Sequence, residues 1–396
     1  MSNIILSKSY PKLNTDDILE FQVCESKYQV LLSDVYLHFV VRIPQSNLSG
    51  ADLVPQNWFG AKQFSSVEVK LNDESVSRRS MPNEYALSAY INSILNYSKG
   101  TLKTGLKTLG IFDDTNLVTS QIDALVKAGN WAGHKRQRKG VGNTFTYEII
   151  MPIDNTIFYS DDFLPSGQRW SLSFERAETK YSTLVSVPST DMANVKKVLP
   201  LEDVYLMIPY VNDEKMNQME SNWVHRPISV GYDSYQLQRF SLESGSPNIR
   251  LSNIINGKLP KLLLYGIMHE SAYMGSFEES STKFSQHNLI EVDMLLNGVS
   301  VQGMPLKMTS ECVSVPYTRF LNTTKSFMDK STSEIIPLQE YHDYHFLQVS
   351  TFSETTGALS FEFTFSGNVP TGLILVTCSI FDVNMEIDKF GNFKID

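Results

Sequence analysis

The sequence predicts an all-β protein made of two tandem jelly-roll β-sandwiches, each of about eight strands, with helices in the loops between strands. Three observations support this prediction. The chain of 396 residues exceeds the usual size of one domain, which favours two domains of roughly 200 residues. Short runs of alternating apolar and polar residues recur along both halves, as in antiparallel sheets. A distinctive hairpin occurs once in each half.

The hairpin consists in both halves of an alternating strand, a polar turn led by asparagine, and a short return strand. The turn begins at Asn72 in the first half and at Asn297 in the second. Each return strand ends at a Met-Pro pair, with the proline at Pro82 or Pro305. Asparagine suits the turn because its side chain bonds nearby backbone, and proline ends a strand because it has no N–H donor. The repeat predicts two copies of one domain.

Two further matches favour a duplication. The run Asp-Val-Tyr-Leu at 34–37 recurs at 203–206, and the run Leu-Ser-Phe-Glu at 172–175 recurs at 359–362. Together with the hairpin, the matches keep the same order in both halves. A polar connector near 190–197 marks the predicted domain boundary. The predicted organisation is an N-terminal arm over 1–17, a first jelly roll over 18–197, a second jelly roll over 198–385 and a C-terminal tail over 386–396.

Helices are predicted only in the loops between strands. Apolar residues recur at near-helical spacing after Pro82, and Gly100 ends that stretch. A second helix is predicted over 318–328, and a short one from Ser120, inside the strand-poor segment 101–142. Such long insertions are unusual in immunoglobulin sandwiches, and the Cys-Trp-Cys signature of that fold is absent. The jelly roll is therefore the favoured sandwich.

Composition argues against several classes of protein. The net charge of −9 disfavours a chain whose whole surface binds nucleic acid, because phosphate binding is driven by Lys and Arg. The scattered Cys24, Cys312 and Cys378 give neither a disulfide framework nor a zinc site. No apolar run approaches the roughly 20 residues that span a bilayer, and the N-terminus lacks a signal-peptide pattern. We expect a protein that is made inside the cell and is not secreted through a signal peptide.

The sequence offers no catalytic, cofactor-binding or metal-binding residue. Of the seven histidines, only His342 and His345 have suggestive spacing, and in a strand their side chains would point to opposite faces. The chain has no nucleophile elbow, no glycine-rich phosphate loop and no cupin-like His and Glu cluster. We therefore expect no enzyme activity, no cofactor and no small-molecule substrate.

The sharpest local charge feature is the basic run His-Lys-Arg-Gln-Arg-Lys, which extends from His134 to Lys139. A solvated loop is the commoner explanation for such a run. The functional alternative is contact with an acidic neighbour or with packaged nucleic acid. Both interpretations stay open at this point.

Several blocks of the sequence resemble the major capsid proteins of Polinton/Maverick-type viruses and elements, in the adenovirus-like capsid lineage. In the first half the blocks are the hairpin strand at 64–72 and the helical stretch at 83–97. In the second half they are 257–266, parts of 275–289, and the ending 381–388. The resemblance does not extend to segment 101–142.

The resemblance implies a double jelly-roll major capsid protein of a double-stranded DNA virus or virus-like element. Three chains would form a homotrimer of six rolls, a pseudo-hexagonal capsomer that tiles an icosahedral shell. The implied partners are neighbouring capsomers, penton proteins and minor capsid proteins, and non-specific contact with the genome or an inner membrane is left open. The implied location is the virion.

Two alternatives remain. A two-domain β-sandwich that binds carbohydrate or mediates adhesion would need an exposed aromatic and acidic cluster at one loop end, together with a secretion route. A penton-type minor capsid component usually has a single jelly roll, whereas this sequence has the pattern of two.

Overall fold

The structure is a computed structural model, and it describes residues 3–24, 27–44, 53–76, 81–97, 105–111, 144–185, 195–212, 218, 227–309, 312–325, 336, 338, 341, 346–388 and 392–395. Strands dominate these residues. No helix in the described ranges is both long and apolar enough to cross a membrane.

The strands of the first half are β1 (Asn3–Ser9), β2 (Leu13–Asn14), β3 (Ile18–Val23), β4 (Gln29–Leu31), β5 (Tyr36–Pro44), β6 (Leu53–Pro55), β7 (Phe64–Leu71), β8 (Glu74–Ser75), β9 (Thr144–Pro152), β10 (Phe163–Leu164), β11 (Trp170–Arg176), β12 (Thr183–Val185) and β13 (Leu201–Asn212). Those of the second half are β14 (Ile228–Ser241), β15 (Asn248–Lys258), β16 (Leu262–His269), β17 (Leu289–Leu296), β18 (Val299–Ser300), β19 (Leu306–Lys307), β20 (Leu347–Ser350), β21 (Thr356–Phe365), β22 (Leu373–Ile387) and β23 (Phe393–Ile395). The helices are α1 (Glu84–Asn96), α2 (Thr179–Ser182), α3 (Glu270–Tyr273) and α4 (Ser314–Lys325), with 3₁₀ turns at Leu32–Asp34, Ala61–Gln63, Gly105–Leu109 and Thr156–Tyr159.

The second half forms two antiparallel sheets. One has the order β14-β22-β16-β20 and the other β15-β21-β17-β18, with β23 added to β22 and β19 to β17. The rings of Tyr265 in β16 and Phe361 in β21 lie 4.7 Å apart, so the two sheets face each other across a core. If β19 and β23 are left out and the remaining eight strands are counted along the chain as first to eighth, the orders are 1-8-3-6 and 2-7-4-5. This is the jelly-roll arrangement of two Greek keys.

The first half has the same order. One sheet contains the path β1-β13-β5-β9, with β4 paired to β13 and β10 to β4, the other has the order β2-β3-β11-β7-β8, and β6 pairs separately with β12. If β2, β4, β6, β10 and β12 are left out, the remaining eight strands again read 1-8-3-6 and 2-7-4-5. The rings of Phe39 in β5 and Phe64 in β7 meet edge to face at 5.7 Å between the sheets. The predicted fold class, two tandem jelly rolls with helices in the insertions, is confirmed.

The repeated hairpin is present in both rolls as the fourth and fifth strands. Leu71 pairs with Glu74 across the first turn, and Leu296 pairs with Val299 across the second. The turn residues have left-handed backbone, with φ of 50° and 69° at Asn72 and Asp73, and 52° and 82° at Asn297 and Gly298. Two consecutive positive φ angles define the type I′ turn, whose twist matches that of a hairpin.

The Asp-Val-Tyr-Leu match is wrong as evidence of duplication. β5, which begins within the first copy at Tyr36, and β13, which contains the second copy, are neighbours in one sheet, and Leu37 lies directly opposite Leu206. They are the third and eighth strands of the same roll. Adjacent buried strands share an alternating pattern because they face the same core, and this similarity imitates a repeat.

The Leu-Ser-Phe-Glu match does fall on equivalent strands, β11 and β21, the seventh of each roll. The residue alignment differs, however, because Leu172 lies opposite Val69, two residues before the turn-flanking Leu71. Leu359 instead lies opposite Leu296, the counterpart of Leu71. The sequences are therefore shifted by two residues, which keeps each side chain on the same face of its sheet.

Strand pairing also revises the domain limits. Residues 1–17, expected to be an arm, contain β1, which pairs along its whole length with β13 as the first strand of the first roll. β13 pairs with β4 and β5 as well, although the expected boundary at 197/198 would assign it to the second roll. Alternating apolar and polar residues show that a segment forms a strand, but they do not show which other strand it pairs with. We propose 3–212 and 228–387 as the two rolls.

The helix predictions are confirmed in part. α1 lies inside the stretch predicted between Pro82 and Gly100. α4 begins at Ser314, before the predicted start at 318. The short helix predicted from Ser120 and the basic run at 134–139 lie outside the described residues.

The apolar faces of both rolls join in one continuous core cluster.

Candidate functional site

His38 lies buried in the first roll, where its ring contacts both neighbouring strands. Its ring is buried and stacks on Tyr205 at 4.3 Å. Nδ1 lies 2.9 Å from the carbonyl oxygen of Asp203, and Nε2 lies 3.3 Å from Glu148 Oε1. These contacts join β5 to its two neighbours in the sheet, β13 and β9.

His269 and His287 form the one histidine pair among the described residues, with perpendicular rings 4.8 Å apart. Burial, with smaller contributions from His269 and Lys283, lowers the pKa of His287 to about 4. No group of three or more His, Cys, Asp or Glu side chains in the described ranges could hold a metal ion. His134, His225, His342 and His345 lie outside these ranges.

The three cysteines are separate. Cys378 is buried in β22, where desolvation raises the pKa of its thiol, while Cys24 is exposed and Cys312 is partly exposed. Buried polar side chains that hydrogen-bond to one another are found where the two rolls meet.

The first contact group at this junction covers the edge of β14. β14 is the first strand of the second roll and pairs on one side with β22. Towards the first roll, Ser160 Oγ donates to the carbonyl oxygen of Gly231 at 2.7 Å. The amide of Gly231 donates to Asp162 Oδ2 at 3.0 Å. Side chains of the first roll thus satisfy backbone groups of a strand edge in the second.

The second group surrounds the buried carboxyl of Asp154. Asn92 in α1 donates to Asp154 Oδ1 at 2.8 Å, and Asn96 donates to the hydroxyl of Tyr235 at 3.4 Å. The rings of Tyr159 and Tyr235 lie 4.8 Å apart across the junction. Burial raises the pKa of Asp154 to about 7, and the bond from Asn92 only partly offsets this.

A small polar cavity of about 30 Å³ adjoins this group, lined by residues of both rolls. Its lining includes Tyr85, Asp154, Tyr159 and Tyr235. The buried hydroxyl of Tyr159 has no hydrogen-bond partner among the described residues. The volume suits one water molecule, which is how buried polar groups of this kind are usually satisfied.

The third group centres on Lys62, whose side chain is fully buried. Its ammonium donates to Gln56 Oε1 at 2.7 Å, to Thr282 Oγ1 at 3.2 Å and to Ser280 Oγ at 3.4 Å. Ser280 and Thr282 belong to the loop between the third and fourth strands of the second roll. A buried charge is costly unless it is hydrogen-bonded, so this lysine requires the second roll to be in place.

The fourth group connects the N-terminus of α1 to α3. The hydroxyl of Tyr273 donates to the carbonyl oxygen of Pro82 at 2.6 Å, and Asn83 Nδ2 donates to the carbonyl oxygen of Tyr273 at 3.2 Å. Gly275 approaches Tyr181 so closely that a Cβ there would lie 3.0 Å from the Tyr181 nitrogen. These contacts join the first roll directly to α3 and Gly275 of the second.

Sequence reasoning missed these residues. Lys62, Asp154 and Tyr235 stand in no motif, and a single buried polar residue has the same sequence signature as an exposed one. Only the strand topology brings them together. Among the described residues, the contacts at the junction are hydrogen bonds and ring contacts between side chains and backbone groups of the two rolls.

Large apolar side chains also remain exposed on the described surface. They are concentrated near the start of the first roll and around the hairpin and α4 of the second. The exposed residues are Ile4, Ile5, Leu6, Tyr10, Leu13, Ile18, Met274, Val299, Met304, Val315, Leu338 and Ile395.

No family model matches the sequence. One curated relative, an uncharacterized protein of Caenorhabditis elegans, is 20% identical over 232 residues, which is 58% of this chain and 51% of the relative. The chain thus spans about half the length of that relative.

Solved structures match over nearly the whole chain. The PBCV-1 virus capsid model has a TM-score of 0.56 at 8% identity, covering 100% of this chain and 96% of the other. The mavirus major capsid protein gives 0.56 at 8% identity, covering 99% and 90%. The Faustovirus major capsid protein gives 0.57 at 9% identity, covering 98% and 91%. From end to end, this chain has the double jelly-roll fold of viral major capsid proteins.

Proposed function

We propose that the protein is a major capsid protein whose homotrimers are pseudo-hexagonal capsomers of an icosahedral shell around double-stranded DNA. The observation that carries the proposal is the match of both rolls, in one arrangement, to major capsid proteins over 98% or more of this chain. A match to one roll alone would equally suit a single-roll binding module.

The buried junction supports a structural role. Four groups of polar contacts and a shared apolar core join the rolls. A shell subunit must transmit load without changing shape, and a densely packed, hydrogen-bonded junction resists deformation.

In the proposed shell, the partners are neighbouring capsomers, with penton and minor capsid proteins at special positions, and the protein resides in the virion. The basic run from His134 to Lys139 would then be a candidate contact for the packaged genome, through phosphate neutralisation. Salt-dependent binding of DNA, lost on replacing Lys135, Arg136, Arg138 and Lys139 with alanine, would support that contact.

The capsomer proposal is tested on the purified full chain. We expect light scattering to give three times the chain mass of 44.8 kDa, and negative-stain microscopy to show particles with six-lobed outlines. A protein that stays monomeric at assembly concentrations, with no shells or capsomers on grids, would contradict the proposal.

A further inference from the structure

Gln56 and Lys62 bring a carbonyl group and an amine into direct contact inside the protein. Both residues belong to the first roll and are buried, with exposed fractions of 1% and 0%. Lys62 Nζ lies 2.7 Å from Gln56 Oε1. Because a carbonyl bond is about 1.2 Å long, Nζ lies within about 3.9 Å of the carboxamide carbon Cδ. Atoms poised to react are roughly 3–3.5 Å apart, so a small rotation of the lysine side chain brings Nζ to that distance.

The carbonyl oxygen of Gln56 is also polarised by donors from the second roll. The backbone amide of Ser281 donates to Oε1 at 3.1 Å, and the hydroxyl of Ser280 donates to it at 3.3 Å. With Lys62, three donors converge on an oxygen that has two lone pairs. Donors arranged in this way in a water-excluded site stabilise the negative charge that develops on a carbonyl oxygen during nucleophilic attack. The second roll thus supplies an oxyanion hole over Gln56.

The remaining contacts orient the carboxamide and the amine. Gln56 Nε2 donates to the carbonyl oxygen of Thr183 at 3.3 Å, which fixes the other end of the carboxamide. Lys62 Nζ contacts Thr282 Oγ1 at 3.2 Å and Ser280 Oγ at 3.4 Å, and these two hydroxyls lie 3.2 Å apart. Hydroxyls in contact with Nζ can accept a proton from it during attack.

Burial favours a reaction between the two side chains. An ammonium group that has lost its hydration costs free energy even when it is hydrogen-bonded. A low-dielectric site favours the neutral form of a lysine, which is the nucleophilic form. Joining Lys62 to Gln56 would replace the buried charge with a neutral amide.

We propose that Lys62 and Gln56 join spontaneously in the folded chain through an isopeptide bond. Nζ of Lys62 forms a bond to Cδ of Gln56, and the bond between Cδ and Nε2 breaks. Of the three protons on the Lys62 ammonium, two pass to Nε2 and one stays on the new amide. The leaving group is therefore an ammonium ion, which carries the positive charge out of the core. Atoms and charge balance without a co-reactant.

The bond would record that the two rolls have docked. It closes the segment 56–62 of the first roll into a covalent loop, which restricts the unfolded chain. Ser280 and Ser281, whose donors activate the carbonyl, belong to the second roll, so the reaction needs the assembled junction. The proposal concerns one chain and does not depend on the proposed capsomer.

The test is the mass of the wild-type full chain, incubated in the folded state and sampled over time. We expect a growing species that is lighter than the sequence mass by one ammonia. Trypsin does not cleave after a lysine whose amine is acylated. Gln56 and Lys62 should therefore appear in one peptide that continues to Lys70 and lacks one ammonia. The same chain held in guanidinium chloride should keep the sequence mass.

Variants test the oxyanion hole. Ser280→Ala removes a donor to Oε1, and we expect the bond to form at least about tenfold more slowly, since one such donor is commonly worth about 10²–10³ in rate. Ser182→Ala is the matched control, because its hydroxyl is equally buried but bonds to the carbonyl oxygen of Thr179. It should react at the wild-type rate. Lys62→Arg has no amine that can attack and should never lose ammonia.

The wild-type measurement decides the proposal even if a variant fails to fold. A folded chain that keeps the sequence mass and is still cleaved after Lys62 overturns the bond. Loss of ammonia that maps to other residues, or hydrolysis of Gln56 to glutamate, overturns it as well. Equal rates for Ser280→Ala and Ser182→Ala would overturn the role of the second roll in the reaction.

Discussion

At the scale of single residues, Asp154 is the group whose placement has the clearest energetic consequence. It is 6% exposed and accepts one hydrogen bond from Asn92 at 2.8 Å. Burial disfavours the charged carboxylate, which is why its pKa rises from 3.8 to about 7. The surrounding titratable groups, Tyr85, Tyr159 and Tyr235, are neutral in this pH range and supply no positive charge.

The raised pKa determines a pH dependence of stability. The unfolded chain releases the Asp154 proton near pH 4 and the folded chain near pH 7, so the folded state binds more protons between these values. The free energy of unfolding therefore falls as pH rises through this window and is level above it. The shift of about three units corresponds to at most about 4 kcal/mol.

Asp154→Asn removes the charge and keeps an oxygen that can accept from Asn92. We expect the variant to match or fall slightly below the wild type at pH 4 and to exceed it at pH 8. Urea unfolding at several pH values measures this difference. A difference between variant and wild type that is the same at pH 4 and pH 8 would show that Asp154 does not titrate in this window.

At the scale of elements, the sequence predicted features formed by neighbouring residues, such as the hairpins. It did not predict which distant strands pair in the sheets. The two hairpins were predictable because each asparagine turn and its flanking strands lie within a dozen or so residues, but the return strands end at Ser75 and Ser300, before the predicted Met-Pro stop. The sheet positions of β1 and β13 were not, because their pairing joins residues about 200 apart. Alternating apolar residues reveal which face is buried, but any neighbouring strand with the same pattern is an equally acceptable partner.

A pair of strand glycines tests the packing of one element. A Cβ at Gly266 in β16 would lie 2.7 Å from Phe284 and 2.8 Å from Leu347, both fixed in the core. Gly231 in β14 of the same sheet has nothing within 4 Å of that position. We expect Gly266→Ala to lower the free energy of unfolding by about 1–3 kcal/mol, since overpacking forces neighbours to shift. Gly231→Ala should change it little, and equal effects in chemical denaturation would contradict this packing.

At the scale of the whole molecule, the sequence predicted two jelly rolls but not how they are joined. The junction depends on Lys62, Asp154, Tyr235 and Tyr273, which are scattered over more than 200 positions and belong to no motif. Their roles arise only when two independently patterned sandwiches meet. The functional surfaces of this protein are thus properties of the assembled rolls, and no short stretch of sequence encodes them.

The shared core and the buried junction predict that both rolls unfold together. Trp58 and Trp170 are buried in the first roll, and the other two tryptophans, at 131 and 223, also lie before residue 228, so the fluorescence change on exposure of the two buried rings reports unfolding of the first roll. Met294 is buried in β17 of the second roll, and Met294→Ala should cost about 2–5 kcal/mol. If the rolls form one cooperative unit, this variant lowers the tryptophan melting temperature and the far-UV circular dichroism midpoint equally. A tryptophan transition that stays at the wild-type temperature while circular dichroism shows an earlier one would mean that the rolls unfold independently. The junction would then be a docking contact between two separate domains, too weak to couple their stabilities.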